Sequence, residues 1–227
     1  DHSTGNATFA GTINGIPFFS DVANNSMYTH NVSGTDNNAV GNTAYGFAAM
    51  DAITTGDYNV AIGNEAGGAI NTGERNVLMG YAAGLQLTSG NYNTAIGHGA
   101  LSAEDTHGNN TAIGYKALNV QNAGGDAYNV AVGFEAGKTI STGSLNTIIG
   151  GSAGDAITTG AANVAIGYGA LSSEDSHGYN VAIGYRALAT QNAGAHAYNV
   201  VIGTDAGRLI STGVDNTIVG GFAGDSL

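Results

Sequence analysis

The chain contains no cysteine and no tryptophan, and it has a single proline, Pro17, among 227 residues. Without cysteine, neither a disulfide framework nor a thiolate metal site can form. Only five lysine and arginine residues stand against 17 aspartate and glutamate residues, which gives a formal charge of −12. Nucleic acid and anionic membranes repel such a surface, so neither is an expected partner. No run of 18 apolar residues occurs, which predicts that no segment inserts into a membrane.

The chain is instead rich in glycine, with 38 residues, and it contains an internal repeat. The pattern Asn-x-x-aliphatic-Gly recurs eleven times from Asn37 onward, at spacings of 17 residues that lengthen once to 22 and twice to 19. Longer blocks of sequence, each spanning several repeats, also copy one another. Because a catalytic residue would not recur in every copy, the asparagines are predicted to form a structural ladder. After Asn37 they are Asn59, Asn76, Asn93, Asn110, Asn129, Asn146, Asn163, Asn180, Asn199 and Asn216.

The repeat predicts a β-solenoid. With the asparagine as position 1, positions 2 to 4 favour a β-strand, and Thr-Gly pairs that favour turns close many copies. Each copy is therefore interpreted as one coil with two short strands and two turns, and none has enough periodic sequence for a helix. The predicted fold class is all-β, a parallel solenoid of about eleven coils over residues 37–227. Residues 1–36 lack the repeat and are predicted to cap the first coil or to contact another subunit.

Both sides of the predicted strand are apolar. Position 3 lies opposite positions 2 and 4, and all three positions avoid charge. One side is expected to line the coil interior and the other to meet a second chain. The largest residues at position 3 are the candidates for this oligomer face, namely Leu78, Ile148, Val201 and Ile218.

Positions 9 and 12 vary together. Position 9 is glycine where position 12 is a large aliphatic residue, as in Gly67 and Ile70. Position 9 is leucine where position 12 is polar, as in Leu101 and Glu104. We therefore expect one large residue from either position to fill each coil.

Three segments carry a resemblance to known families. NTAIGYKAL (110–118), NVAIGYGAL (163–171) and NVAIGYRAL (180–188) resemble the head repeats of trimeric autotransporter adhesins of the YadA type. They are more closely similar to the 17-residue repeats of phage tail-fibre and bacterial surface proteins that often precede an endosialidase-type chaperone domain. The resemblance covers residues 37–227. It implies a left-handed β-roll, a homotrimer of rolls packed side by side, and an extracellular location on a cell surface or a virion.

These features together predict a non-enzymatic extracellular fibre protein, a stalk or adhesin that assembles with itself and attaches to a cell-surface receptor or glycan. Two alternatives stay open. One is a filament subunit that polymerises head to tail through residues 1–36 and the last coil, the chain being either that whole subunit or a piece of a longer fibre. The other is a module that binds a repetitive surface such as glycan or ice.

No catalytic or cofactor site is predicted, but one set of possible metal ligands occurs twice. Carboxylate and imidazole groups on a tight turn suit a divalent cation such as calcium, although a solvated charged turn is the simpler interpretation. The ligands are Glu104, Asp105 and His107 and, in the next of the longer blocks, Glu174, Asp175 and His177.

Two further patterns have structural explanations. The stretch NVAVGFEAGKT (129–139) imitates a phosphate-binding loop, but three residues rather than four separate Gly133 from Gly137. Tyrosines recur at position 6, where they are predicted to form a stripe that packs between coils or chains. They are Tyr81, Tyr115, Tyr168 and Tyr185.

Overall fold

The structure, a computed structural model, describes residues 12–13, 16–17, 19–21, 26–28, 38–174 and 176–225. Within those ranges the regular elements are all β-strands, which confirms the all-β class. The strands are β1 (Thr12–Ile13), β2 (Ile16–Pro17), β3 (Phe19–Asp21), β4 (Ser26–Tyr28), β5 (Thr43–Tyr45), β6 (Val60–Ile62), β7 (Val77–Met79), β8 (Thr94–Ile96), β9 (Thr111–Ile113), β10 (Val130–Val132), β11 (Thr147–Ile149), β12 (Val164–Ile166), β13 (Val181–Ile183), β14 (Val200–Ile202) and β15 (Thr217–Val219).

The coils stack into a parallel β-solenoid of eleven turns. Strands β4 to β15 follow one another in a single sheet, and each pairs in parallel with the next strand in the chain. The pairing joins equivalent positions of successive repeats, so that Val130 of β10 faces Thr147 of β11 and Ala131 faces Ile148. The predicted solenoid of about eleven coils is therefore confirmed.

Part of the N-terminal segment extends the sheet. Strand β3 pairs antiparallel with β4, and β4 pairs in parallel with β5 of the first coil. The backbone N–H of Met27 donates to the carbonyl of Asn42 at 2.8 Å. Residues 19–21 and 26–28 therefore cover the strand edge of the first coil, while most of the predicted segment 1–36 lies outside the described residues.

The first coil begins at Asn42 and not at Asn37, so the prediction for this copy is wrong. Asn42 accepts a hydrogen bond at its Oδ1 from the backbone N–H of Asn59, 17 residues on, as later asparagines of the repeat do. Tyr45 occupies position 4 in this coil, where other copies have an aliphatic residue. The 22-residue spacing in the predicted repeat therefore came from the wrong register of the first copy. Only the two 19-residue spacings mark insertions.

Each coil contains one three-residue strand rather than the two predicted. After the glycine at position 5, positions 7 and 9 have left-handed backbone angles, with φ of 52° at Lys116 and 47° at Leu118. Such angles cannot continue an extended strand. Backbone bonding between coils persists through this turn, because the Lys116 N–H donates to the carbonyl of His98 and the Leu118 N–H to that of Ala136.

Position 3 points into the coil, and this overturns the predicted oligomer face. Alternation along each strand buries the middle residue and turns positions 2 and 4 outward. Alanine at position 3 in most coils fits this narrow interior. The four predicted oligomer-face residues are fully or almost fully buried within their own chain: Leu78, Ile148, Val201 and Ile218.

The core is a column of residues from positions 3, 8, 9 and 12. Gly137, with φ of 55°, is so close to the core that an added Cβ would lie 2.8 Å from Ile140 Cδ1 and 3.2 Å from Leu118 Cδ2. Where position 9 is leucine, both that leucine and the polar residue at position 12 are buried, as Leu118 and Gln121 show. Apart from the first coil, which buries both Met50 and Ile53, each complete coil therefore has room for one large aliphatic residue from these two positions.

This arrangement predicts a compensating pair of substitutions. Gly137→Leu alone should overpack the coil and lower the free energy of unfolding by about 1–3 kcal/mol. Adding Ile140→Gln copies the combination found naturally at Leu118 and Gln121, and we expect it to restore at least half of that loss. Thermal unfolding of the two single variants and the double variant measures the coupling. If the losses in unfolding free energy of the two single variants simply add in the double variant, the two side chains do not occupy the same space.

Candidate functional site

The repeated asparagines form a buried ladder along the rod. The Oδ1 atom of Asn146 accepts a hydrogen bond from the Asn163 backbone N–H at 2.9 Å. The Nδ2 group of Asn146 donates to the Gly160 carbonyl of its own coil at 2.9 Å and to Asn129 Oδ1 at 3.1 Å. Most asparagine side chains thus close their own coil and bind a neighbour, whereas Asn110 and Asn180 donate to the carbonyl two residues before them. In both cases the polar atoms are engaged within the rod.

The outward side of the sheet is an uncharged apolar surface. We define the strand face as the side chains at positions 2, 4 and 6 of the eleven coils that begin at Asn42. These positions contain no aspartate, glutamate, lysine or arginine in any coil. Position 4 is aliphatic in every coil except the first, and position 2 is always valine or threonine. In a chain with a net charge of −12, this surface differs from the rest of the rod.

Aromatic rings at position 6 line one border of the strand face. Rings of Tyr81, His98, Tyr115 and Phe134 follow one another with centroid distances of 5.0, 5.3 and 5.1 Å. The Tyr115 and Phe134 rings are stacked, with an angle of 14° between their planes. The Tyr81–His98 and His98–Tyr115 pairs are tilted, with 56° between their planes. The rings therefore form a continuous row along this border.

The predicted metal ligands of the first block do come together. One ligand atom from each of Glu104, Asp105 and His107 lies within 4.8 Å of the others. The backbone N–H of His107 donates to Glu104 Oε1 at 3.1 Å, and the carboxylate of Asp126 in the next coil accepts from the Gly108 N–H at 2.9 Å. The turn thus places two carboxylates and one imidazole close together.

Glu104 is not part of a solvated turn, because its side chain is fully buried. It occupies position 12, the position of Leu87 in the coil before it and of Gln121 in the coil after it. Burial raises the pKa of Glu104 above its usual range, and the hydrogen bond from the His107 N–H opposes that shift. Its Oε2 atom has no hydrogen-bond partner among the described residues.

The second block repeats the same geometry where it is described. Glu174 is also fully buried, and its Oε1 lies 3.5 Å from His177 Nδ1. The place of Asp126 is taken by His196, whose Nδ1 accepts from the Gly178 N–H at 3.2 Å. Asp175, the third predicted ligand, lies outside the described residues.

The raised pKa of Glu104 predicts a pH-dependent stability. The folded chain retains this proton to a higher pH than the unfolded chain does, so stability falls as pH rises through the folded pKa. In metal-free buffer, Glu104→Gln should therefore melt at a higher temperature than the parent chain at pH 7. The two should melt alike at about pH 3.5, where carboxyl groups are mostly protonated in both states.

Circular dichroism melts at the two pH values measure this difference. Glu74→Gln is the matched control, because Glu74 is a partly exposed carboxylate paired with Arg75. It should show no comparable gain at pH 7. A Glu104→Gln variant that melts below the parent at pH 7 would show that the carboxylate is stabilised in its ionised form.

The stretch that imitates a phosphate loop is part of the rod. Lys138 Nζ donates to Glu135 Oε1 at 2.9 Å, and this bond raises the pKa of Lys138. The Thr139 hydroxyl donates to the Ile157 carbonyl of the next coil at 2.9 Å. Both side chains that a phosphate would need are thus engaged within the solenoid.

The fold and these surfaces define a β-solenoid repeat protein. No protein-family model, curated protein or solved structure matches the chain. In the part of the chain that the structure describes, no helix has the length and apolarity needed to cross a membrane.

Two features of the site were missed in the sequence, and both left a signal there. Glu104 shares position 12 with Ile70 and Leu87, and that shared position indicates a buried side chain despite the charge. The absence of charge at positions 2, 4 and 6 shows a continuous uncharged surface once the strand is known to turn these positions outward. By contrast, no sequence pattern links Asp126 to the turn at His107, because the contact depends on the register of the inserted loop.

Proposed function

We propose that the chain is a non-enzymatic structural protein of an extracellular fibre, in which solenoids associate side by side through the strand face. It would serve as a stalk or adhesin on a cell surface or a virion. The observation that carries the proposal is the absence of charge at positions 2, 4 and 6 in eleven consecutive coils. The resemblance to YadA-type head repeats and to phage tail-fibre repeats supports the same function.

The strand face is large enough for a stable interface between copies. Eleven coils at about 4.8 Å each, with five residues at about 3.3 Å across positions 2 to 6, give about 870 Å² per chain. A standard protein interface buries about 800 Å² on each partner and is depleted of charge at its centre. A homotrimer uses such a face on every chain.

The other two functions receive less support. A glycan-binding surface offers exposed aromatic faces, whereas two ring pairs at position 6 stack face to face, with planes 14° apart in Tyr115 and Phe134 and 15° apart in Tyr168 and Tyr185. Threonines suitable for an ordered surface such as ice alternate with valines at position 2. In head-to-tail assembly, residues 1–36 would pair with another subunit, but the described strand Ser26–Tyr28 pairs with the first coil of its own chain.

Charges introduced into the strand face should separate the chains. Ile166 and Ile183 occupy position 4 of neighbouring coils and point outward. We expect Ile166→Glu with Ile183→Glu to raise the dissociation constant of the assembly at least about 100-fold, because the interface would bury unpaired carboxylates. Light scattering coupled to gel filtration should then give the monomer mass of 22.5 kDa.

The matched control is Val120→Glu with Leu209→Glu. Both residues are exposed and apolar, and both occupy position 11, away from the strand face. This control carries the same added charge and should keep the mass of the parent assembly. If both double variants dissociate alike, or if neither does, the strand face is not the interface.

A further inference from the structure

Among the described residues, no lysine or arginine side chain pairs with the carboxylate of Glu104. Its side chain is fully buried, and its Oε2 atom has no hydrogen-bond partner among the described residues. The His107 imidazole lies near the Glu104 carboxylate, but its Nδ1 is 3.8 Å from Oε1, which is beyond hydrogen-bond distance. A buried carboxylate without a partner charge is costly, so it calls for a proton or a bound cation.

The lysine and arginine side chains of the chain interact elsewhere. Ion pairs join Arg75 to Glu74, Lys138 to Glu135, Arg186 to Asp205 and Arg208 to Asp225. The ammonium group of Lys116 lies 5.3 Å from the centroid of the Tyr115 ring.

We propose that Glu104, Asp105 and His107 bind a divalent transition-metal cation, for which zinc is the natural probe. Two carboxylates and one imidazole form a mixed oxygen and nitrogen ligand set of the kind that zinc accepts, whereas calcium prefers six to eight oxygens. Their ligand atoms lie within 4.8 Å of one another. Binding requires the half-buried Asp105 and His107 side chains to rotate until their ligand atoms lie about 2.0–2.2 Å from the metal.

The neighbouring coil approaches the same turn without joining the ligand cluster. Asp126 lies next to His107, because its carboxylate accepts the Gly108 N–H. In the second block the same place holds His196, whose ring centroid lies 6.2 Å from that of His177. The recurrence of the turn in the second block predicts a second site at Glu174 and His177.

The first site is tested in a full-length chain that carries Glu174→Gln and His177→Ala to remove the second. Isothermal titration with zinc, and metal analysis after dialysis, should give one zinc per chain. Adding Glu104→Gln or His107→Ala should weaken zinc binding at least tenfold. Adding Glu74→Gln, which removes a carboxylate outside the cluster, should leave zinc binding unchanged. Calcium titrated into the same protein should bind at least tenfold more weakly than zinc.

Circular dichroism verifies that each variant is folded before titration. Glu104→Gln preserves the side-chain oxygen that accepts the His107 N–H, so loss of zinc binding in a folded Glu104→Gln variant assigns the metal to the carboxylate. No zinc binding to the parent chain, or binding that neither Glu104→Gln nor His107→Ala weakens, would overturn the proposal. The buried carboxyl would then carry a proton.

Discussion

Replacing Gly114 with alanine is expected to lower the thermal unfolding midpoint by roughly 4–24 °C. Gly114 has φ of 133°, and an added Cβ would lie 2.2 Å from the carbonyl oxygen of Gly133 in the next coil. The backbone strain costs about 1–3 kcal/mol and the overpacking about 1–3 kcal/mol more. For a chain of this size, each kcal/mol lowers the midpoint by about 2–4 °C.

Gly125 provides the matched control. An added Cβ at Gly125 meets nothing within 4 Å, and its backbone is not left-handed. Gly125→Ala should therefore change the midpoint by no more than about 2 °C, equivalent to a surface substitution of about 0.5 kcal/mol. Equal midpoints for the two variants would mean that the coils do not approach each other at position 5 as described.

Replacing Asn146 with alanine should cost about 2–6 kcal/mol of unfolding free energy. The change leaves the Asn163 N–H and the Gly160 carbonyl without their side-chain partner, and each unsatisfied buried group costs about 1–3 kcal/mol. Asn146→Asp preserves the acceptor for Asn163 but loses the donor to Gly160, so it separates the two contributions. Urea unfolding followed by circular dichroism measures the difference.

The control for the ladder is Asn122→Ala. Asn122 is exposed and lies in the inserted loop rather than at position 1. Its replacement should cost less than about 0.5 kcal/mol. If Asn146→Ala costs no more than Asn122→Ala, the asparagine ladder does not stabilise the coils.

The repeat made the solenoid predictable, because a short unit with β-favouring residues must stack on its own copies. Its register failed only at the first coil. Residues 37–41 read Asn-Asn-Ala-Val-Gly and fit the pattern, whereas the true coil has Tyr45 where the pattern requires an aliphatic residue. Strand pairing with the second coil, which aligns Thr43 with Val60, decides between the two.

The side of the strand that faces inward was not predictable from polarity. Positions 2, 3 and 4 are all uncharged, so alternation could not indicate which side leaves water. The side chains at position 3 are small in most coils, and only a narrow coil explains that preference. The prediction of a solvated turn at Glu104 was wrong for a different reason. The charge of Glu104 indicated exposure, whereas its position in the coil buries the side chain.

The most direct test of the proposed function is the mass of the unmodified chain in solution. Association through the strand face predicts that sedimentation equilibrium gives a multiple of 22.5 kDa, with three times that mass for the homotrimer. The assembly should be stable at micromolar concentration because its interface is apolar and uncharged. The mass of a single chain at every concentration would contradict side-by-side association of the solenoids.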